Sequence, residues 1–197
     1  MPRAAQKART KRDLIAAAVA LIEAGELPTL ESTAVAADVS RATAYRYFPT
    51  QAELLEAAYR EAVIGPMEQD LAAVERSAEP EERLEILLRL VCTSLLENER
   101  AMREMLRSSL ATVGEPGTPE TPLRRGRRAG WIEHTLEPLR DQLRPKEFDR
   151  LVSAIAATTG IEAMVVLRDI RGLSGKEACE TVRWTAQAIL RSARARS

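Results

Sequence analysis

The sequence predicts an all-α protein in which a small N-terminal three-helix domain precedes a larger helical domain. Alanine, leucine, glutamate and arginine dominate its 197 residues, and all four are strong helix formers. Apolar residues recur at helical intervals, and no run alternates apolar with polar residues as a half-buried strand does. Hydrophobic residues make up 45% of the chain, which is enough to build a core.

Cap and breaker residues divide the N-terminal part into helices. Thr10 is typical of a helix N-cap, and Gly25 stands where that first helix would end. A second, short helix is predicted over about 31–37. Ser40 is placed to cap a third helix, over 41–47.

The rest of the chain is also predicted to be helical. Thr50 and Glu53 have the spacing of a capping box, so they begin a fourth helix, at about 50–64, that connects the two domains. A stretch rich in Gly and Pro at 114–122 predicts a loop. The other predicted helices begin near 81, run from Leu123 to Leu143 with a kink at Pro138, and span 146–170 and 175–194.

Charge and cysteine usage narrow the classes of function. Lysine plus arginine and aspartate plus glutamate both number 29, so the chain as a whole is not a nucleic-acid-coating protein. Residues 1–12 carry five basic residues and no acidic one, which indicates one local charged contact surface. Cys92 and Cys179 lack any pairing or metal-ligand spacing, which favours a reducing compartment. Without a bilayer-spanning apolar run or a signal-type start, we expect a cytoplasmic protein with no metal, cofactor or membrane association.

The stretch "VSRATAYRYF", residues 39–48, holds three aromatic residues and two arginines in a chain that is only 4% aromatic. In the predicted third helix, Ala44 and Phe48 fall on one edge and can face a small core. The arginine, threonine and tyrosine side chains spread over the remaining surface. Two short helices joined by a tight turn, the second rich in these residues, are typical of a helix-turn-helix.

The side chains around that apolar edge suit DNA. Hydroxyl groups donate to phosphate oxygens, and arginine contacts either phosphate or the edge of guanine. Basic residues at the start of the first helix add contacts to the DNA backbone. The alternative is a solvated helix that happens to carry tyrosines. The predicted DNA-binding residues are Lys11, Arg12, Ser40, Arg41, Thr43, Tyr45, Arg46 and Tyr47.

The sequence "TLESTAVAADVSRATAYRYFPTQAELLEAA" resembles the N-terminal domain of TetR-family transcriptional repressors, and the resemblance covers residues 10–60. It implies a helix-turn-helix DNA-binding domain, a larger all-helical domain with a ligand pocket, and a homodimer. We therefore assign residues 1–50 to DNA binding and residues 51–197 to ligand binding and dimerisation.

Four positions depart from the family pattern. Asp38 stands in the turn where the family usually has glycine, and Thr33 stands where an apolar residue is usual. Gln51 replaces a lysine that often binds phosphate, and Glu31 could oppose a phosphate. These departures predict DNA binding that is weaker than usual for the family.

The last two predicted helices carry apolar residues on two faces, and both faces must be buried. One face can pack within the subunit, and the other favours a partner, so that two helices from each subunit form a four-helix interface. Burial of both faces within one subunit is the alternative. The predicted dimer-interface residues are Ala157, Ile161, Met164, Val165, Thr181, Trp184 and Ala188.

The middle helices are predicted to hold an effector pocket. Methionine side chains adapt to varied ligands, and a tryptophan with a histidine gives an apolar pocket a few polar groups. Ordinary core packing is the alternative for each residue. The candidate pocket residues are Cys92, Met102, Met105, Leu106, Trp131 and His134.

These features favour a ligand-responsive repressor that binds near-palindromic double-stranded DNA as a homodimer and is released by a small-molecule effector. A helical protein-interaction module with weak or lost DNA binding is the alternative. An enzyme is disfavoured, because the chain has a single histidine, His134, and no nucleophile, phosphate-loop or metal-ligand motif.

Overall fold

The computed structural model describes residues 2–74, 79–111 and 127–195, and within these ranges the chain is helical without a strand. The all-α prediction is therefore confirmed. The predicted loop at 114–122 and the predicted helix start at Leu123 lie outside the described residues. The α-helices are α1 (Pro2–Glu23), α2 (Leu30–Ala36), α3 (Arg41–Tyr47), α4 (Gln51–Tyr59), α5 (Gly65–Val74), α6 (Pro80–Glu97), α7 (Glu99–Ala111), α8 (Arg128–Thr135), α9 (Pro145–Thr158), α10 (Ile161–Val165) and α11 (Gly175–Arg194).

The chain forms two compact units. The first unit comprises Met1–Glu68 with Arg100–Thr118, and the second comprises Gln69–Glu99 with Pro119–Ser197. The first unit thus contains α1–α4 and most of α7. The second contains α6 and α8–α11.

In the first unit, α1 packs against α2 and α4, and α2 packs against α3. Each helix contributes a narrow apolar edge, because these short helices are otherwise covered with polar and charged residues. The small core that results fixes α3 on the surface of the unit. Its buried residues are Leu14, Ala18, Leu30, Ala34, Ala44, Phe48, Leu54 and Ala58.

Side-chain caps set where the short helices begin. The Thr29 hydroxyl accepts the backbone N–H of Ser32 at 3.0 Å, and the Ser32 hydroxyl accepts the backbone N–H of Thr29 at 3.0 Å. This capping box starts α2. Ser40 caps α3, as predicted. Thr50 caps α4 by accepting the Glu53 N–H at 3.2 Å.

Two positive φ angles end the first two helices. Gly25 has φ +77° just beyond α1, at the predicted stop, and Asp38 has φ +52° in the turn between α2 and α3. Aspartate tolerates this left-handed region better than most residues with a Cβ. The turn thus has its tight geometry with an aspartate, rather than a glycine, at the left-handed position.

In the second unit, α11 packs on α6 and α9, and α8 packs on the same two helices. Ser174 and Glu177 form a capping box at the start of α11, which begins at the predicted residue. A guanidinium nitrogen of Arg83 donates to the carbonyl of His134 at 3.1 Å and ties α6 to α8. The largest fully buried residues of this unit are Leu84, Leu87, Leu88, Ile132, Leu136, Leu139, Phe148, Ile155 and Ile161.

Two of the predicted helix starts and ends are wrong. Thr10 is not an N-cap, because α1 begins at Pro2 and the Thr10 hydroxyl donates to the carbonyl of Gln6 within the helix. The helix near Pro138 ends at Thr135 rather than kinking, and a short 3₁₀ turn over Glu137–Leu139 follows it.

The predicted helix over 146–170 is interrupted. Thr159 caps the end of α9, Gly160 is extended with φ −117° and ψ −175°, and α10 starts at the next residue. The hydroxyls of Thr158 and Thr159 both donate to the carbonyl of Ile155, at 3.0 and 2.9 Å. These bonds compete with the helical backbone bonds, and glycine offers little helical preference, so the helix breaks here.

No single described helix is both long enough and apolar enough to cross a membrane. Helix α9 and the Ile161–Ile170 segment meet the two criteria only when they are taken together, and they are bent by 44° relative to each other. Among the residues that the structure describes, no three His, Cys, Asp or Glu side chains form a group that could hold a metal ion.

Candidate nucleic-acid interface

Helix α3 presents one edge to the core and the rest of its surface to solvent. Ala44 is fully buried and Phe48 is 3% exposed, as the helical spacing predicts. Arg41, Tyr45 and Arg46 are exposed. Anchoring through two apolar residues leaves the polar side chains accessible.

The start of α3 is held by a pair of hydroxyl groups. The Ser40 hydroxyl accepts the backbone N–H of Thr43 at 3.1 Å, and the two side-chain oxygens are 2.9 Å apart. Both hydroxyls are therefore near the free N–H groups of the helix N-terminus. This is the position at which phosphate oxygens are best accommodated, because donors and the helix dipole both point there.

Glu31 on α2 contacts two of the predicted DNA-binding residues. One oxygen of its carboxylate, Oε1, accepts a hydrogen bond from Arg41 Nη2 at 3.0 Å and from the Tyr45 hydroxyl at 3.2 Å. The pKa of Glu31 is lowered, chiefly by the Arg41 hydrogen bond, then by its backbone and by Tyr45. The carboxylate thus remains charged and lies directly beside the α3 surface.

The end of α3 carries two cation–aromatic contacts. The guanidinium of Arg46 lies 5.4 Å from the ring centre of Tyr47, and the ammonium of Lys11 lies 5.6 Å from that of Phe48. Lys11 on α1 is thereby placed at the end of α3, and Arg12 beside it is exposed. Such contacts orient cations at modest energy, about 0.5–1 kcal/mol when exposed.

Tyr47 is less accessible than its neighbours. Its side chain is half-buried and packs against the core of the first unit. It also lines an open groove together with residues of α1, α4 and the π-helical turn after α4. The groove residues are Lys11, Ile15, Tyr47, Phe48, Glu53, Glu56, Ala57, Arg60 and Glu61.

Thr33 on α2 is fully buried, and its hydroxyl has no hydrogen-bond partner among the described residues. The sequence alone shows a polar residue at a position where the resemblance implies an apolar one. The structure adds that the hydroxyl is orphaned, which carries a cost of about 1–3 kcal/mol. Gln51, where the resemblance implies a phosphate-binding lysine, is half-buried in the first turn of α4.

The candidate pocket residues are divided between the two units. Met102, Met105 and Leu106 are half-buried on α7, in the first unit. In the second unit, Cys92 is buried, Trp131 is half-buried and His134 is exposed. Their role as pocket residues stays a prediction.

Two of the predicted dimer residues are corrected by their burial. Ile161 is 2% exposed and Met164 is fully buried within the chain, so neither is available to a partner. The break at Gly160 causes this, because it turns α10 away from the line of α9. Ala157 is exposed, whereas Val165, Thr181 and Ala188 are half-buried; all four remain predictions.

Trp184 on α11 is 69% exposed. Tryptophan is strongly buried on average, so this degree of exposure is unusual for the residue type. It projects from the side of the helix that the sequence predicts for the interface, and its assignment to a dimer stays a prediction.

Sequence reasoning missed the contact of Glu31 with Arg41 and Tyr45. The spacing of Arg41 and Tyr45, one helical turn apart, places them on one face. The position of Glu31 opposite them depends on the angle at which α2 meets α3, and no local pattern encodes that angle.

No family model matches the sequence, and no curated protein matches it. Among solved structures, the chain is similar to a Clostridium perfringens protein described as a "putative fatty acid metabolism regulator". The two share 17% sequence identity with a TM-score of 0.55, over 89% of this chain and 97% of that one. At this identity the likeness shows a shared all-helical fold.

Proposed function

We propose that this chain is a DNA-binding transcription regulator in which α2 and α3 form a helix-turn-helix and α3 is the reading helix. The observation that carries the proposal is the surface of α3. Its apolar edge is buried, whereas Arg41, Tyr45 and Arg46 are exposed beside the Ser40–Thr43 pair at the helix start. This arrangement leaves donors for phosphate and base edges on an anchored helix.

The proposal extends to a homodimer. A single helix-turn-helix reads few base pairs, whereas two copies related by a two-fold axis read a near-palindrome and add their phosphate contacts. The exposed Trp184 on α11, with Thr181 and Ala188 on the same side, supports a contact surface there. On this proposal, replacement of Trp184 by serine lowers the dimer fraction in sedimentation without changing the helical content.

We further propose that a small-molecule effector releases the DNA and that the protein acts in the cytoplasm as a repressor. A ligand changes affinity for DNA only if it binds the two states of the protein unequally. The half-buried methionines of α7 support a ligand of mainly apolar character.

The deciding experiment is selection of bound duplexes from a random library, followed by a salt titration on the enriched sequence. The proposal requires a near-palindromic site and an affinity that falls steeply as salt rises. Arg46→Ala is expected to weaken binding by about tenfold and to reduce the salt slope by about one.

Arg150→Ala is the matched control, since Arg150 is an exposed arginine on α9 in the second unit. It should leave the affinity within about twofold of the wild type, because Arg150 is not among the residues proposed to contact phosphate or base edges. Lack of any enrichment at low salt would overturn DNA binding and favour a protein-interaction module instead.

A further inference from the structure

A carboxylate in the middle of a DNA-reading surface requires an explanation. Glu31 lies in the first turn of α2, and one of its oxygens accepts hydrogen bonds from two successive turns of α3. The Glu31 side chain is 44% exposed and that of Arg41 is 69% exposed. An ion pair this exposed adds little to folding stability. Its effect on what Arg41 and Tyr45 can bind is the larger consequence.

The contact restrains two side chains that would otherwise move freely. Arginine has a long side chain with many rotamers and five N–H donors, and Glu31 accepts a hydrogen bond from Nη2. The guanidinium plane is thereby held while donors remain for another acceptor. The Tyr45 hydroxyl is held by the same oxygen. Side chains fixed before binding lose less entropy when they meet a base edge.

The contact also offsets charge. Phosphate attracts every accessible guanidinium regardless of sequence, and this term supplies essentially all of non-specific binding. A carboxylate 3.0 Å from Arg41 cancels much of its positive potential at the DNA backbone. Arg41 therefore adds little to the affinity for DNA of arbitrary sequence. At a site with a well-placed base acceptor, the hydrogen bond from Arg41 offsets the repulsion between Glu31 and the DNA phosphates.

We propose that Glu31 is a specificity-determining residue: it positions Arg41 and Tyr45 for base contacts and suppresses their binding to DNA of arbitrary sequence. This inference rests on the proposed function, because it needs α3 to face DNA. It treats the acidic residue as part of the reading surface rather than as a defect of it.

Glu31→Gln in the full-length protein tests the charge. Glutamine keeps the length and the acceptor oxygen but removes the charge. Affinity for a duplex of scrambled sequence should rise by about threefold to tenfold at low salt, and its salt slope should steepen by about one. The ratio of specific to non-specific affinity should fall by at least the same factor.

Glu31→Asp separates the two roles. It retains the charge, but the shorter side chain no longer reaches Arg41 and Tyr45 together. We expect scrambled-duplex affinity to stay near the wild-type value while affinity for the selected duplex falls. Glu23→Gln is the matched control. Glu23 is an exposed glutamate at the end of α1, so this substitution removes the same charge at a position outside the α2–α3 contact.

The outcomes are distinct. If the wild type enriches a sequence but Glu31→Gln leaves the affinity ratio unchanged, or changes it no more than Glu23→Gln does, the role of Glu31 is wrong and the proposed function stands. If the wild type enriches no sequence, both are wrong. Circular dichroism of each variant verifies that the helical fold is retained.

Discussion

The thiols of Cys92 on α6 and Cys179 on α11 lie against each other, and each donates to the carbonyl of the other residue with a sulphur–oxygen distance of 3.9 Å. The two residues are 87 positions apart in the sequence, and both are buried. Burial raises the pKa of the Cys92 thiol, and the neighbouring Cys179 thiol raises it further. The pair thus joins the two helices as packed thiols rather than as a reactive site.

We expect both thiols to be inert in the folded protein. The thiolate is the nucleophile, and burial keeps reagents away from both sulphur atoms. The raised pKa of Cys92 further lowers the amount of its thiolate at neutral pH. Reaction with an aromatic disulfide reagent at pH 7 should be slower than that of the urea-unfolded chain by about a hundredfold or more. The rate is followed by absorbance of the released thiol.

Ser192→Cys supplies the control for that measurement. Ser192 is exposed near the end of α11, so the added thiol should react at the rate of a small-molecule thiol. One native cysteine that reacts as fast as this added one would contradict the packed arrangement.

The Thr33 hydroxyl has no hydrogen-bond partner among the described residues, and its removal should therefore stabilise the fold. Valine has nearly the same shape and lacks the oxygen that has no partner, so Thr33→Val should raise the free energy of unfolding by about 1 kcal/mol. The change is measured by urea unfolding followed by circular dichroism. The same change at Thr159 is the control, since that threonine is equally buried but donates to the Ile155 carbonyl at 2.9 Å. Thr159→Val should be neutral or destabilising, and equal gains at both positions would rule out the orphaned hydroxyl as the cause.

Because the backbone at Asp38 is left-handed, the free energy of unfolding should depend strongly on which residue occupies this position. A β-branched side chain at φ +52° clashes with the backbone, so Asp38→Val should lower the free energy of unfolding by about 1–2 kcal/mol. Asp38→Gly should be tolerated or slightly stabilising. Asp13→Val on the exposed face of α1 is the control and should cost only a few tenths of a kcal/mol. Unfolding curves in urea measure all three, and equal losses for the two valine variants would contradict the argument.

The starts and stops of several helices could be predicted from local chemistry. Ser40 and Thr50 cap helices where the sequence places them, because a cap depends on residues only three apart. Thr10 shows the limit of this reasoning. The residues before it are themselves good helix formers, so α1 continues back to Pro2 and the potential cap lies inside it.

The interruption between α9 and α10 was not predictable from the apolar pattern. Apolar residues continue at helical spacing through Thr159 and Gly160, and the threonine hydroxyls decide the break by bonding to the Ile155 carbonyl. As a consequence Ile161 and Met164 face inward. A single continuous helix would have placed them with Ala157 on an outer face.

The sequence predicts which residues form the candidate interface but not which of them contact each other. Which α3 residues face the core follows from their spacing, and Ala44 and Phe48 do so. The contact of Glu31 with Arg41 and Tyr45 joins residues 10 and 14 positions apart and depends on how two helices cross. Sequence alone shows an acid close to α3 in the chain, whereas the structure shows that this acid accepts hydrogen bonds from Arg41 and Tyr45.

Glu85 on α6 accepts hydrogen bonds from two arginines. Arg89, one turn along the same helix, donates at 3.0 Å, and Arg183 donates from α11. Burial works to raise the pKa of Glu85, but the hydrogen bonds from Arg183 and Arg89 outweigh it and the pKa is lowered. A carboxyl whose pKa is lower in the folded chain stabilises the fold above its unfolded pKa of 4.5, and this contribution is lost as the pH falls through the folded value.

We therefore expect Glu85→Gln to lose about 1 kcal/mol of stability at pH 7 and almost none well below pH 4.5, where the wild-type carboxyl is itself protonated. Because other carboxyls also titrate, the informative quantity is the difference between the two proteins in urea unfolding at each pH. Glu180→Gln is the control, since Glu180 is exposed and lies 4.0 Å from Lys176. Its unfolding curve should follow the wild type at every pH. A Glu85→Gln difference that persists unchanged at low pH would show that the loss arises from packing and not from the charged pair with Arg183.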